Sequence, residues 1–258
     1  MRLGSVFVRD GDRFLGTELA LGPWVQGALH GGAPAALLGH VIAGAAPEGL
    51  RPARITYEFV RPVPVGPLAV RLEVVRPGRR VTLLDGFLTD PSGVEVARAR
   101  ALLLTPSVLT VDALEAPPFP GPDAGVVNDW RDKRPMFATE GMEIRFVEGV
   151  FRRPGPATAW FRLRHPLIAG EPIAPLERVL AAADFGNGIA STLSWEEHTF
   201  INPDLTVYVE REPIGEWVAL QSEMRVREGS IALAESVLWD ERGRIGRATQ
   251  ALLVARNA

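Results

Sequence analysis

The sequence predicts an α+β fold in which one unit, a helix followed by a run of antiparallel strands, is written twice in a single chain. Three observations lead there. Residues 54–104 match residues 204–254 at a shift of 150, so that Thr56 falls on Thr206, Arg61 on Arg211, Asp90 on Asp240, Gly93 on Gly243 and Leu102 on Leu252. An Ala- and Leu-rich stretch precedes the strands in each copy, and a proline-rich segment separates the copies. Helices and strands segregated in this way, without strand–helix alternation, argue against a parallel sheet.

In copy one, residues 30–44 (HGGAPAALLGHVIAG) are apolar nearly all round, as in a buried helix. Leu68, Val70, Leu72 and Val74 then alternate with other residues as in a half-buried strand. The runs 81–89 and 94–104 are separated by Asp90-Pro91-Ser92-Gly93, a hairpin turn by composition. Residues 106–130 hold Pro106, Pro117, Pro118, Pro120 and Pro122, a composition that favours extended, semi-rigid chain over packed structure. The expected division is an N-terminal unit over 1–105, a linker over 106–130 and a C-terminal unit over 131–258.

Copy two opens on a strand pattern at 157–165. A helix is expected over 174–193, with Pro175 in its first turn and Leu176, Val179, Leu180 and Ala183 at helical spacing. In residues 217–227, Val218, Leu220, Met224 and Val226 occupy one face, and Gln221, Glu223 and Arg225 the other. Asp240-Glu241-Arg242-Gly243 repeats the hairpin turn of copy one.

Composition excludes several function classes. With 258 residues, 47% hydrophobic and 23% charged, the chain is of ordinary globular make-up. A chain this long buries roughly 70–75% of its unfolded surface. It contains no cysteine, which removes disulfides, thiolate metal sites and a cysteine nucleophile. A net charge of -3 with both signs interspersed gives no basic field, so nucleic acid is not an expected partner. No apolar run reaches the roughly 20 residues of a membrane span. The opening MRLGSVFVRDGDRF interleaves charges without a signal-peptide core, so a cytoplasmic location is expected.

Several catalytic motifs are missing. The chain has no Gly-x-Ser-x-Gly elbow and no phosphate loop of the Gly-x-x-x-x-Gly-Lys-[Ser/Thr] type. Gly186-Asn187-Gly188 lies in or after an Ala-rich helix, not between strand and helix, and reads as a chance likeness to a dinucleotide fingerprint. His30, His40, His165 and His198 share no metal-binding spacing, so no metal and no cofactor is expected.

The two copies differ where chemistry would lie. At the shift of 150, Pro34 stands against Asp184, Pro52 against Asn202 and Arg100 against Gln250, a pattern of one working site beside one retired site. Asp184 interrupts an apolar helix, where an aspartate has a partner or a task unless it lies on the helix's outer side. Phe185-Gly186-Asn187-Gly188 reads first as a left-handed helix cap, and alternatively as bare backbone open to a ligand. Asn202 before Pro203 is a common turn former. Gln250 shares a face with Ala248, Leu252 and Val254, and is either an intrusion into an apolar row or an edge position. Arg76, Arg79 and Arg80 form a basic turn, solvated or suited to a phosphorylated ligand.

Taken jointly, Leu29-His30-Gly31-Gly32, Tyr57-Glu58-Phe59-Val60-Arg61-Pro62, Ala183-Asp184-Phe185, Tyr208-Val209-Glu210-Arg211 and Ala248-Thr249-Gln250 resemble the type II (TesB-like) acyl-CoA thioesterases. The resemblance implies a double hotdog, two tandem units each with an antiparallel sheet wrapped around a central helix. It further implies an acyl-CoA substrate, a place in fatty acid metabolism, and homo-oligomers through the hotdog sheets. Its catalytic site would lie in the second unit, with Asp184 and Gln250 matching directly and Asn202 standing where a threonine is expected. These three would hold and activate a water that attacks the thioester carbonyl. His30, Gly31 and Gly32 would bind substrate, the glycines through backbone amides. A non-catalytic acyl-CoA or acyl-carrier binding protein is the alternative that the Asn202 departure keeps open. A hotdog enoyl-CoA hydratase is disfavoured, because the first histidine after Asp184 is the distant His198.

Overall fold

The computed structural model describes residues 4–107, 118–128, 134–228 and 231–257. Copy one contributes β1 (Phe7–Asp10), β2 (Arg13–Gly16), helix α1 (Gly32–Gly44), β3 (Arg51–Phe59), β4 (Pro67–Arg76), β5 (Val81–Thr89) and β6 (Glu95–Leu104). Copy two contributes β7 (Val126–Val127), β8 (Met142–Glu148), β9 (Ala157–Leu163), α2 (Pro175–Ala183), α3 (Gly186–Ile189) and β10 (His198–Ile201). It continues with β11 (Asp204–Val209), β12 (Val218–Val226), β13 (Ile231–Asp240) and β14 (Gly243–Arg256). The strands form one 14-stranded sheet in the order β1-β2-β4-β5-β6-β3-β11-β14-β13-β12-β9-β8-β7, with β10 also paired to β14.

This is the α+β double hotdog, and its centre is the antiparallel pair β3–β11. Thr56 lies opposite Thr206, with Asp204 opposite Glu58 and Tyr208 opposite Arg54 on either side. The Thr206 and Thr56 hydroxyls meet at 3.2 Å. The shift of 150 maps this register onto itself, so a pseudo-twofold axis passes through the threonine pair. Joining the two sheets here also removes the free edge that each would otherwise expose.

One sheet face carries the helices. Val218, Leu220 and Met224 are buried on β12, while Gln221, Glu223 and Arg225 are exposed, as the alternation predicts. α1 and α2 pack against each other over this face, and Gly39 of α1 lies where any side chain would run into Leu180 of α2. Leu37, Leu38, Ile42, Val179 and Leu180 are fully buried between helices and sheet, each worth about 1.5–3 kcal/mol of transfer free energy. Among the described residues, no helix is long and apolar enough to cross a membrane.

The structure corrects two of the expected equivalences. Asp90 closes onto Val94 across three residues, whereas Asp240 pairs with Gly243 across two. That missing residue slides β14 by one. Thr56 therefore faces Arg100, but Thr206 faces Thr249, and the counterpart of Gln250 is Ala101, not Arg100. A one-residue slip exchanges the faces of a strand. Arg100 points outward and binds Asp85 through two hydrogen bonds of 2.7 and 2.6 Å, while Gln250 points into the core. Pro34 lies in the first turn of α1, whereas Asp184 caps the C-terminal end of α2, so these two are not equivalent either.

The proline-rich segment differs from the expected extended chain. Its residues 108–117 and 129–130 lie outside the described residues, but Phe119 and Pro120 pack against the sheet as a strap and Val126–Val127 form the edge strand β7. Phe119 stacks on Trp239 at 4.2 Å, and the Trp160 indole N–H donates to the Pro120 carbonyl at 2.9 Å.

Candidate active site

Helix α2 starts on Pro175, and the Glu177 carboxylate accepts the Ala174 N–H at 3.0 Å, which satisfies one donor of the first turn. The expected single helix over 174–193 is instead broken. α2 stops at Ala183, Asp184 and Phe185 keep right-handed backbone, and α3 follows at Gly186. No left-handed cap forms, since neither Gly186 nor Gly188 has a positive φ. The break has a tertiary cause. A side chain on Gly186 would lie 2.6 Å from Ser236 Oγ and 3.4 Å from Gln250 Oε1, so bare backbone presses directly on the sheet.

At this break the three polar residues converge. Asp184 is 5% exposed and Gln250 2%. Asp184 Oδ1 accepts a hydrogen bond from Asn202 Nδ2 at 2.9 Å and another from Gln250 Nε2 at 3.2 Å. Asn202 Nδ2 also donates to the Asp204 carbonyl at 3.1 Å, and Gln250 Nε2 to the Asp184 carbonyl at 3.3 Å. Both N–H groups of each amide are thus spent, and they grip the carboxylate itself. The Asn187 N–H donates to Gln250 Oε1 at 3.2 Å, which fixes the amide so that its nitrogen faces Asp184.

Copy one supplies the other wall. His30 precedes α1, held by its own N–H to the Ala20 carbonyl at 2.9 Å. Its Nδ1 lies 3.1 Å from Asp184 Oδ2 and also 3.1 Å from the Gly32 N–H. These two contacts need opposite protonation of one nitrogen: a donor toward the carboxylate, an acceptor toward the amide. The imidazole is stacked on Phe185 at 4.4 Å, with Phe137 at 5.3 Å, and these rings fix its plane. A Cβ on Gly31 would lie 2.7 Å from Asp184 Oδ2, and one on Gly32 would lie 2.5 Å from the Ala181 carbonyl oxygen. Both glycines are required by close approach between the copies.

The sequence reading missed the support beneath this site. Ser222 and Ser236 are buried and share a hydrogen bond of 2.7 Å under Gly186. Their signal was present, since Ser222 interrupts the apolar row of β12 as Gln250 interrupts that of β14. Asp204 was also missed. Burial pushes its carboxyl up, against the Ala251 N–H that it accepts at 2.7 Å, and the nearby Glu58 charge adds to the rise. Arg79 and Arg80 stay exposed in the β4–β5 turn, apart from the cluster. Among the described residues, no group of His, Asp and Glu is placed to hold a metal ion.

Comparison with known proteins agrees with this architecture. The chain matches the family model of the acyl-CoA thioesterase N-terminal domain over residues 20–104 and that of the C-terminal domain over 112–254. No curated protein matches the chain. Similar solved structures include a protein from Thermobifida fusca YX assigned as a thioesterase II, at 20% identity and a TM-score of 0.76, covering 97% of this chain and 95% of that one. A protein from Novosphingobium aromaticivorans assigned as a thioesterase has 24% identity and a TM-score of 0.74, with 96% and 98% covered. The acyl-CoA thioesterase II TesB2 of Mycobacterium marinum has 17% identity and a TM-score of 0.67, with 96% and 95% covered. At these identities the structures speak for the fold, and the family models, which span both copies, carry the assignment: the chain belongs to the acyl-CoA thioesterase family and is a thioester hydrolase.

Proposed function

We propose that the chain hydrolyses acyl-CoA to free acid and CoA at a single site, with Asp184 as the group that orients and deprotonates water. The observation that carries this reading is the grip of Asn202 and Gln250 on Asp184 Oδ1, which leaves Oδ2 facing the first turn of α1. A carboxylate held in one orientation presents a fixed acceptor to water, and that orientation is the entropic part of catalysis. The oxyanion that develops on the thioester carbonyl needs N–H donors from the start of α1. The Gly32 N–H now points to His30 Nδ1 at 3.1 Å and would have to leave it to serve, while the Ala33 N–H is spent on the His30 carbonyl at 3.0 Å. The leaving thiolate needs no strong acid, since its conjugate acid is near pKa 8.5 by analogy with cysteine. The expected setting is cytoplasmic fatty acid metabolism, with residues 1–105 and 131–258 as the two units of the site.

Asp184→Asn retains the shape and removes the base. Thiol release from a panel of acyl-CoAs is expected to fall by about two or more orders of magnitude, with an unchanged melting temperature. Undiminished turnover in the folded variant refutes the assignment.

One observation favours a second arrangement at the same site. His30 Nδ1 lies 3.1 Å from Asp184 Oδ2, so a proton on Nδ1 would make Asp184 the orienting partner and the other imidazole nitrogen the base. His30→Gln separates the two. A loss as deep as that of Asp184→Asn selects the His–Asp dyad, and a loss of about tenfold or less selects Asp184 acting alone.

A further inference from the structure

Beyond the carboxylate, the inner face of copy two changes character in steps. Leu220 and Leu238 lie opposite each other and belong to the main core. Next come Ser222 opposite Ser236, then Met224 opposite Ala234, which itself faces Gln250. One step further, Val226 lies opposite Ala232, which faces Leu252, and Val254 of β14 lies opposite Phe200 of β10. The Ser222–Ser236 pair, with Gln250 one step beyond it opposite Ala234, therefore divides the apolar interior. Phe200, Met224, Ala232, Ala234 and Leu252 form a cluster separate from the main core, with Leu193 and Trp195 packed against it.

This second cluster begins at the level of Gln250, the residue that grips Asp184. Its floor is built from the two smallest apolar side chains of the row, Ala232 and Ala234. Its far side is aromatic. Trp195 meets Phe200 edge-on at 4.7 Å, and Trp24, from the exposed loop ahead of α1, stacks flat on Trp195 at 5.1 Å and meets Phe200 at 5.8 Å. Trp24 is 40% exposed, and its loop crosses from copy one onto copy two. An indole left partly in water, fastened by one stacked and one edge contact, is the part of this wall that moves at least cost, since an aromatic pair is worth about 0.5–1.5 kcal/mol beyond area.

We infer that this cluster is the acyl chamber, and that the stacked Trp24–Trp195 pair is its end wall and limits acyl chain length. The inference rests on thioester hydrolysis at Asp184. With CoA on the solvent side of a carbonyl placed beside Asp184, the acyl tail would run along the alanine floor by displacing the side chains of Phe200, Met224 and Leu252, which are packed over it and buried. Each step along the strands advances about 7 Å, so the two steps from Gln250 to Val254 give about 14 Å before the aromatic wall. The substrate class is accordingly a short to medium acyl group, with longer chains admitted only when Trp24 swings off Trp195.

The test is the ratio of kcat/KM for lauroyl-CoA to that for hexanoyl-CoA. Trp24→Ala is expected to raise the ratio by about fivefold or more, because a single small group in an apolar pocket already changes selection by about 10–200-fold. Trp24→Phe should raise it less, and Ala232→Leu, which fills the floor, should lower it. Trp24 lies on an exposed loop, so its variants report even if Ala232→Leu fails to fold. A ratio within about twofold of wild type in folded Trp24→Ala overturns the chamber assignment while hydrolysis itself stands. No turnover of either substrate by the wild-type protein overturns the thioesterase reading beneath it.

Discussion

Asp184 is held by contacts that reach it from both copies, and Gly31 is the one with no slack. A methyl group there would lie 2.7 Å from Oδ2, and the carboxylate has nowhere to retreat, because Asn202 and Gln250 fix Oδ1. Gly31→Ala is therefore expected to lower kcat by about tenfold or more and to lower the melting temperature as well, measured by thiol release and thermal unfolding. Arg100→Gln is expected to leave turnover near that of wild type. Its side chain lies on the opposite sheet face, so no working site can be rebuilt around it. Asp184 and Gln250 were legible in sequence because each interrupts an apolar row, whereas Asn202, a turn former before Pro203, stood out only by its mismatch with Pro52 across the repeat. Their pairing across the repeat was misread at Gln250 for a physical reason: one residue deleted from a turn is silent in an alignment of motifs, yet it exchanges the faces of the next strand.

At the scale of elements, the Asp240 turn and the head of β11 make opposite predictions. Burial alone pushes the Asp240 carboxyl up, but the Arg211 guanidinium at 2.6 and 2.5 Å and the N–H groups of Ile214 and Arg242 outweigh it and hold the group below the usual carboxylate range. A lowered folded value stabilises the protein above the unfolded pKa, near 3.9, and this stability is lost as pH falls through the folded value. Asp240→Asn should thus lower the melting temperature at neutral pH, and the gap to wild type should close below about pH 4. Asp204 has the reverse sign. Its folded value is raised, chiefly by burial, so at neutral pH its charge costs the folded state, and that cost vanishes as pH falls through the raised value. Asp204→Asn retains an oxygen for the Ala251 N–H and should raise the melting temperature at neutral pH, with the gain shrinking toward acid. The strands around both residues were legible from alternation and turn composition. The break between α2 and α3 was not, because what stops the helix is Gln250 and the serine pair, brought there by tertiary structure.

For the whole molecule, the contact between α1 and α2 sets the distance from His30 to Asp184. Gly39 lets Leu180 close over α1, Tyr57 donates to the Ala35 carbonyl at 3.0 Å, and His40 meets buried Glu177 at 2.7 Å across the helices. Gly39→Ala pushes Leu180 away, at a cost of about 1–3 kcal/mol for overpacking, and moves the start of α1 relative to Asp184. The expected outcome is a lower melting temperature together with lower kcat, whereas an equally destabilising substitution remote from both helices should lower only the first. The repeat was visible in sequence because β3 and β11 pair about their own symmetry axis and so keep the shift of 150. The joint site was less visible, since no spacing along one copy reveals that the other copy's loop closes on it.

The strap over residues 118–122 has a consequence for the order in which the molecule is completed. Phe119 can stack on Trp239 only after β13 exists, and β13 lies near the end of the chain. During synthesis at ~5–20 residues per second, the strap waits roughly 6–24 s for its partner. Docking of the strap is therefore a late event, and a protease that cuts the proline-rich stretch reads out whether the last hairpin has formed. In refolding, resistance at residues 118–122 should appear together with the burial of Trp239, after copy one has already gained its own protection.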